Sequence, residues 1–183
     1  NGPCLQKPVH ALPLMRSMSG SRLNQDLDRR MLEAITRDID QEGLWWLKTE
    51  RRPWRTETFK EDQCWPVAQG RLLVALLDWH EIDHDPQWIN LAERLSSGLM
   101  KIALGNERRA WYYTAFLRSG WKEHPDPIKV TQIAGNTSQE PASRPFFDIG
   151  LPLRGLSRWY AVSGDKKALE LADRLARYMM KPD

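Results

Sequence analysis

Apolar residues recur at helical spacing in paired blocks along this chain, each pair broken by a short polar turn. Leu72, Leu73, Leu76, Leu77, Trp79 and His80 mark one stripe with a 3.6-residue period, and the pattern stops at Ile82-Asp83. Asp85-Pro86 follows. An aspartate supplies an oxygen for unpaired N–H groups, and a proline just after it loses nothing by lacking its own N–H, so a second helix is predicted to start there. Trp88, Leu91, Ala92, Leu95 and Leu99 carry that helix.

The same unit occurs again 80 residues on. Between 70–101 and 150–181 the identities are Gly70/Gly150, Leu73/Leu153, Leu76/Leu156, Trp79/Trp159, Asp85/Asp165, Leu91/Leu171, Ala92/Ala172, Arg94/Arg174, Leu95/Leu175, Met100/Met180 and Lys101/Lys181, without a gap. A third copy lies 64 residues upstream of the middle one. Leu12 matches Leu76, Met15 stands where the two tryptophans stand, Leu27 matches Leu91, Arg30 matches Arg94, and Ser19-Gly20 reproduces Ser163-Gly164. Ser21, Asp85 and Asp165 share one N-cap register. Gly20 and Gly164 before them suit a left-handed helix end, and His84 is the exception there.

The pattern therefore predicts an all-α domain over 1–183 with helical hairpins at about 10–38, 66–103 and 148–181. Open helical solenoids have periods of about 34 to 47 residues. Offsets of 64 and 80 exceed these, and the excess falls in two long links, Ile39–Trp65 and Leu104–Phe147. A closed α/α toroid, with its links gathered at the N-terminal ends of the inner helices, accommodates this better. Such a toroid needs six hairpins. The expectation is a piece of a longer protein; the alternatives are a second copy completing the barrel and a half-barrel that stands alone with an exposed flank.

Composition narrows the class. With 41% apolar and 28% charged residues the chain has the makeup of a soluble globular domain rather than a disordered one. Its net charge of +3 comes from 27 basic and 24 acidic residues interspersed along the chain. There is no basic stripe, so nucleic acid is not an expected partner. No apolar run is long enough to span a bilayer, and no signal peptide is visible, although one removed earlier would leave no trace. Cys4 and Cys64 are compatible with one disulfide or with two thiols, so the compartment stays open. Asn136-Thr137-Ser138 is a glycosylation sequon that matters only in a eukaryotic secretory route.

Asp38–Leu47, DIDQEGLWWL, resembles the connection after a hairpin in the six-hairpin glycosidases, a group that includes β-L-arabinofuranosidase-like enzymes and relatives of the unsaturated glucuronyl hydrolases. Trp65–Asp78 resembles an inner helix of that superfamily, and 150–180 a complete inner–outer pair. The resemblance implies an α/α toroid and a carbohydrate substrate.

On the toroid reading the cleft lies where the links meet the inner helices. Glycoside hydrolysis uses two carboxyl groups, about 5 to 5.5 Å apart for retention or 6.5 to 9.5 Å for inversion. Asp148 is the first candidate, with an N-cap as its structural alternative, and Asp62 or Glu61 is the candidate partner. Trp45, Trp46, Trp111, Tyr112 and Tyr113 offer faces for sugar stacking or for packing the links. Trp65, Gln69, Arg71 and Arg144 are further candidates for substrate contact. Trp79 and Trp159 belong to the core, and Arg30, Arg94 and Arg174 are expected to pair with loop carbonyls or with acids on the outer helices.

His80 and His84 have i, i+4 spacing, but no third ligand is evident and HExxH is absent, so no metal is expected. His10 and His124 read as loop residues. No nucleophile elbow, phosphate-cradling loop or dinucleotide fingerprint occurs, and no cofactor is expected. The functional expectation is a carbohydrate-active enzyme, a hydrolase more than a lyase. A lyase would use a Tyr or His base with an arginine to neutralise a uronate. The alternative from another class is a non-catalytic helical-repeat scaffold binding a glycan or a protein.

Overall fold

The computed structural model describes residues 6–51, 62–112, 117–118 and 145–180. Among these it is all-α apart from four two-residue strands. The helices are α1 (Gln6–Ser19), α2 (Gln25–Thr36), α3 (Pro66–Asp83), α4 (Pro86–Ile102), α5 (Pro145–Ser163) and α6 (Lys166–Met179). The strands are β1 (Gln63–Cys64), β2 (Leu104–Gly105), β3 (Ala110–Trp111) and β4 (Leu117–Arg118). No described helix is long and apolar enough to cross a membrane.

Three hairpins stack in order. Helices α1, α3 and α5 form a front row with α3 in the middle, and α2, α4 and α6 pack behind them, each against its own partner. The sequences of the two rows differ accordingly. Along α3 apolar residues run almost all the way round, and Leu72, Leu73, Leu76 and Leu77 are buried. In α4 the buried residues Trp88, Ala92, Leu95 and Leu99 keep to one face, as an outer helix requires.

The three turns share one hydrogen-bond pattern. Gly20, His84 and Gly164 all take the left-handed conformation, with φ of 63°, 56° and 73°. Each sends its N–H to the carbonyl four residues back, at Arg16, His80 and Tyr160 (2.9, 2.9 and 2.8 Å). The preceding residue, Ser19, Asp83 or Ser163, accepts the N–H two residues on (3.2, 3.0 and 3.1 Å). The following residue, Ser21, Asp85 or Asp165, does the same for Leu23, Gln87 or Lys167 (3.3, 2.9 and 2.9 Å). His84 is thus an exception in residue type and not in conformation.

Three boundaries differ from expectation. Helix α1 starts at Gln6, so His10 is helical rather than in a loop. Ser21 does not cap α2, because the chain makes a further turn through left-handed Asn24 before Gln25. Asp148 is no N-cap: α5 starts at Pro145, which places Asp148 inside its first turn.

The repeated tryptophans are both buried at one register, yet their N–H groups part company. Trp79 donates across to the carbonyl of Val9 on α1 (3.1 Å), whereas Trp159 reaches its own turn at Asp165 (3.4 Å). Arg94 donates to the carbonyl of Asp40 in the first link (2.7 Å), and Arg30 pairs with Asp26 on its own helix (2.9 Å).

Candidate functional site

Both links begin as small antiparallel turns. Ile39 bridges Trp45 in the first, and Leu104-Gly105 pairs with Ala110-Trp111 in the second. The first link rests on α4 through Gly43, whose φ of 80° and position against the carbonyl of Arg94 leave no room for a Cβ. Its Asp40 accepts the N–H of Leu44 (2.9 Å) and Nε1 of Trp46 (2.7 Å). Leu47 then bridges Gln63, and β1 pairs with β4, setting Gln63 opposite Arg118 and Cys64 opposite Leu117. The two links are therefore joined to each other beside the N-terminal end of α3.

Several candidate residues at this rim have structural roles. Trp45 and Tyr112 are fully buried, Trp46 nearly so, and their ring faces pack into the core. Burial pushes the Tyr112 hydroxyl up, and it donates to the carbonyl of Leu99 (3.2 Å). Gln69, also fully buried, accepts the N–H of Trp45 and donates to its carbonyl, with a further contact to Cys64 Sγ at 3.2 Å. Cys64 is a free thiol, and burial raises its pKa well above the ordinary value.

Asp62 accepts from the Thr49 N–H (2.8 Å) and from Lys48 Nζ (3.0 Å). Partial burial pushes this carboxyl up, but those bonds outweigh it and hold it below its usual value. Such an acid stays ionised at neutral pH. It suits a base or nucleophile and not a proton donor. Asp148 is 6% exposed in the first turn of α5.

Trp65 and Trp111 are half-buried. Trp65 directs its Nε1 to Gln63 Oε1 (3.3 Å), and Trp111 stacks against Tyr178 on α6, with ring centres 5.5 Å apart. Glu61, Tyr113 and Arg144 lie outside the described residues, as do Cys4, His124 and the sequon.

A second constellation spans the front row. On α3, Arg71, Asp78 and Glu81 share a face at i, i+7 and i+10. Asp78 pairs with Arg158 of α5, which also reaches Glu81 (2.6 Å), and His10 of α1 comes within 3.5 Å of Asp78. Burial lowers the His10 pKa. Asp78 opposes that effect, while Arg154, Arg71 and Arg158 reinforce it, so the imidazole is held neutral. Sequence reading missed this group because its members lie about 70 to 80 residues apart. The signal was the i, i+4 pair Arg154 and Arg158 on a helix whose one other charged residue is Asp148.

The opposite rim holds a crevice of about 370 Å³ between α2 and α4, lined by Trp79, Trp88, Leu32, Arg16, Asp28 and Asp83. Within it Arg16 pairs with Asp28 (2.6 Å), and Asp83 accepts from Trp88 (2.9 Å). His80 turns Nδ1 to the carbonyl of Asp85 (3.2 Å), and the described residues contain no group of three side chains able to hold a metal ion. No family model, no curated protein and no solved structure matches this chain.

Proposed function

We propose that the chain is a three-hairpin arc of an α/α toroid, with the front row lining the axis, and that it serves a carbohydrate-active enzyme, a glycoside hydrolase. One observation carries the reading: β1–β4 pairing draws both links to the end of the front row where the buried Asp148 sits. Asp148 acts as the acid that protonates the departing glycosidic oxygen, and half-buried Trp65 and Trp111 supply faces for a sugar ring. Ionised Asp62 is the carboxylate for the complementary role. Trp45, Trp46 and Tyr112 hold the links in place and are not part of the sugar contact.

The test is release of reducing ends from a panel of oligosaccharides and polysaccharides by the chain and by Asp148→Asn. Loss of about 10²- to 10⁴-fold in the variant is expected. Full activity in the variant removes Asp148 from the role. Binding of a glycan without turnover by the parent chain favours the scaffold.

The arginines around His10 favour a second reading, elimination from an acidic sugar. There His10 would take the proton next to the uronate carboxylate and arginine would neutralise that carboxylate. The C–H electrons would form the ring double bond as the bond to the departing oxygen breaks, and the proton taken by His10 would pass to that oxygen. Ultraviolet absorbance of the unsaturated product separates this reaction from hydrolysis.

A further inference from the structure

Each front-row helix carries two stripes at i, i+3 and i+7 spacing, one toward the helix before it and one toward the helix after it. The trailing stripe is Gln6, Val9 and Pro13 on α1, and these are the buried residues of that helix. Its counterparts on α3 are Gly70, Leu73 and Leu77, also buried. At Gly70 the backbone of α5 crosses so closely that a Cβ would collide with Leu151 and Pro152. The same register on α5 is Gly150, Leu153 and Ser157. These are half-buried, half-buried and exposed, and a Cβ on Gly150 meets nothing within 4 Å.

The leading stripe shows the reverse. Pro152, Gly155 and Trp159 of α5 are buried, and Gly155 faces the Gly70 carbonyl and Leu73. Leu72, Ala75 and Trp79 of α3 are buried, with Trp79 bonded to α1. Their equivalents on α1 are Pro8, Ala11 and Met15, all exposed, Met15 by 61%. Beside them, Leu27 on α2 is 48% exposed, whereas its equivalent Leu171 is 5% exposed. The first hairpin thus shows solvent the leading half of an interface that the chain makes twice internally, and the third hairpin shows the trailing half. Even residue types agree: Pro8 and Ala11 stand where Pro152 and Gly155 enter the Gly70 notch, and Gly150 keeps that notch.

We propose that two copies of this chain associate head to tail, the α1 leading stripe of each seating in the α5 notch of the other. With three hairpins per copy, two such contacts close a ring of six, and that closure rests on the toroid reading. A pairing of like stripes would set proline and methionine against the same and would leave the Gly150 notch empty.

Sedimentation velocity on the purified chain tests this. A species of twice the 21.3 kDa chain mass is expected. Gly150→Trp and Ala11→Trp fill space that is open in a single copy, so each keeps wild-type helicity by circular dichroism. Each alone weakens association by at least about tenfold. Their mixture regains one contact, because each variant retains the flank that the other lacks. A chain that stays monomeric at all accessible concentrations, or a dimer indifferent to Gly150→Trp, overturns the proposal. A ladder of higher oligomers sensitive to Gly150→Trp keeps the head-to-tail contact but overturns ring closure and with it the toroid, independently of any glycan assay.

Discussion

Gln69 holds the peptide of Trp45 from both sides: its Oε1 accepts the Trp45 N–H at 2.8 Å and its Nε2 donates to the Trp45 carbonyl at 2.7 Å. A side-chain amide on α3 here does what a neighbouring strand would do for a buried link. Gln69→Ala leaves both Trp45 groups buried and unpaired, and each costs about 1 to 3 kcal/mol. Urea unfolding is expected to show a loss of about 2 to 6 kcal/mol. A loss below 1 kcal/mol would mean that the link relaxes toward water.

Gly43 and Gly20 share the left-handed conformation but not their surroundings. At Gly20 a Cβ meets nothing within 4 Å, so Gly20→Ala costs only the backbone strain, about 1 kcal/mol. At Gly43 the Cβ overlaps the Arg94 carbonyl, so Gly43→Ala must also move the link off α4, for about 3 kcal/mol or more. Equal losses for the two variants in the same unfolding assay would refute the contact.

His84 takes at φ 56° the place that glycine holds in the other two turns. His84→Gly removes the steric cost of that conformation and is expected to stabilise the chain by about 1 kcal/mol, raising Tm by about 2 to 4 °C. A fall in Tm would show that the edge contact between the His80 and His84 rings, with centres 6.0 Å apart, outweighs the strain.

His10 gives stability a sign with pH. Its folded pKa lies below the unfolded value of 6.5, so around neutrality the unfolded chain binds more protons. Stability is fully present above 6.5 and is lost as pH falls toward the folded value. Asp62 acts with the same sign, but below its unfolded value of 3.8. His10→Gln should flatten the unfolding free energy between neutrality and the carboxylate range while leaving the acid limb intact. An unchanged slope there would remove His10 from its buried position beside Asp78.

The helices and turns were readable because their causes are local. Asp85 and Asp165 cap at i+2, and Trp88, Leu91, Ala92 and Leu95 fall on one face whatever lies opposite. Ser21 misled because its side chain makes the expected bond to Leu23, but the helix waits for Asn24. Site residues were harder to read. A doublet such as Trp45-Trp46 looks identical in sequence whether it faces a sugar or the core, and here the buried amide of Gln69 and the carboxylate of Asp40 draw it inward. The cluster of His10, Asp78 and Arg158 was invisible for a related reason. Stacking hairpins, not spacing within one helix, brings it together.

Hairpin arrays that touch only their neighbours can fray from either end, one module at a time. The short pairing of Gln63-Cys64 with Leu117-Arg118 works against this, because it ties the segment entering the middle hairpin to the one leaving it. That hairpin cannot come undone without parting both connectors. Unfolding should therefore proceed as one cooperative event centred on α3, and hydrogen exchange should find the slowest amides there rather than at either flank.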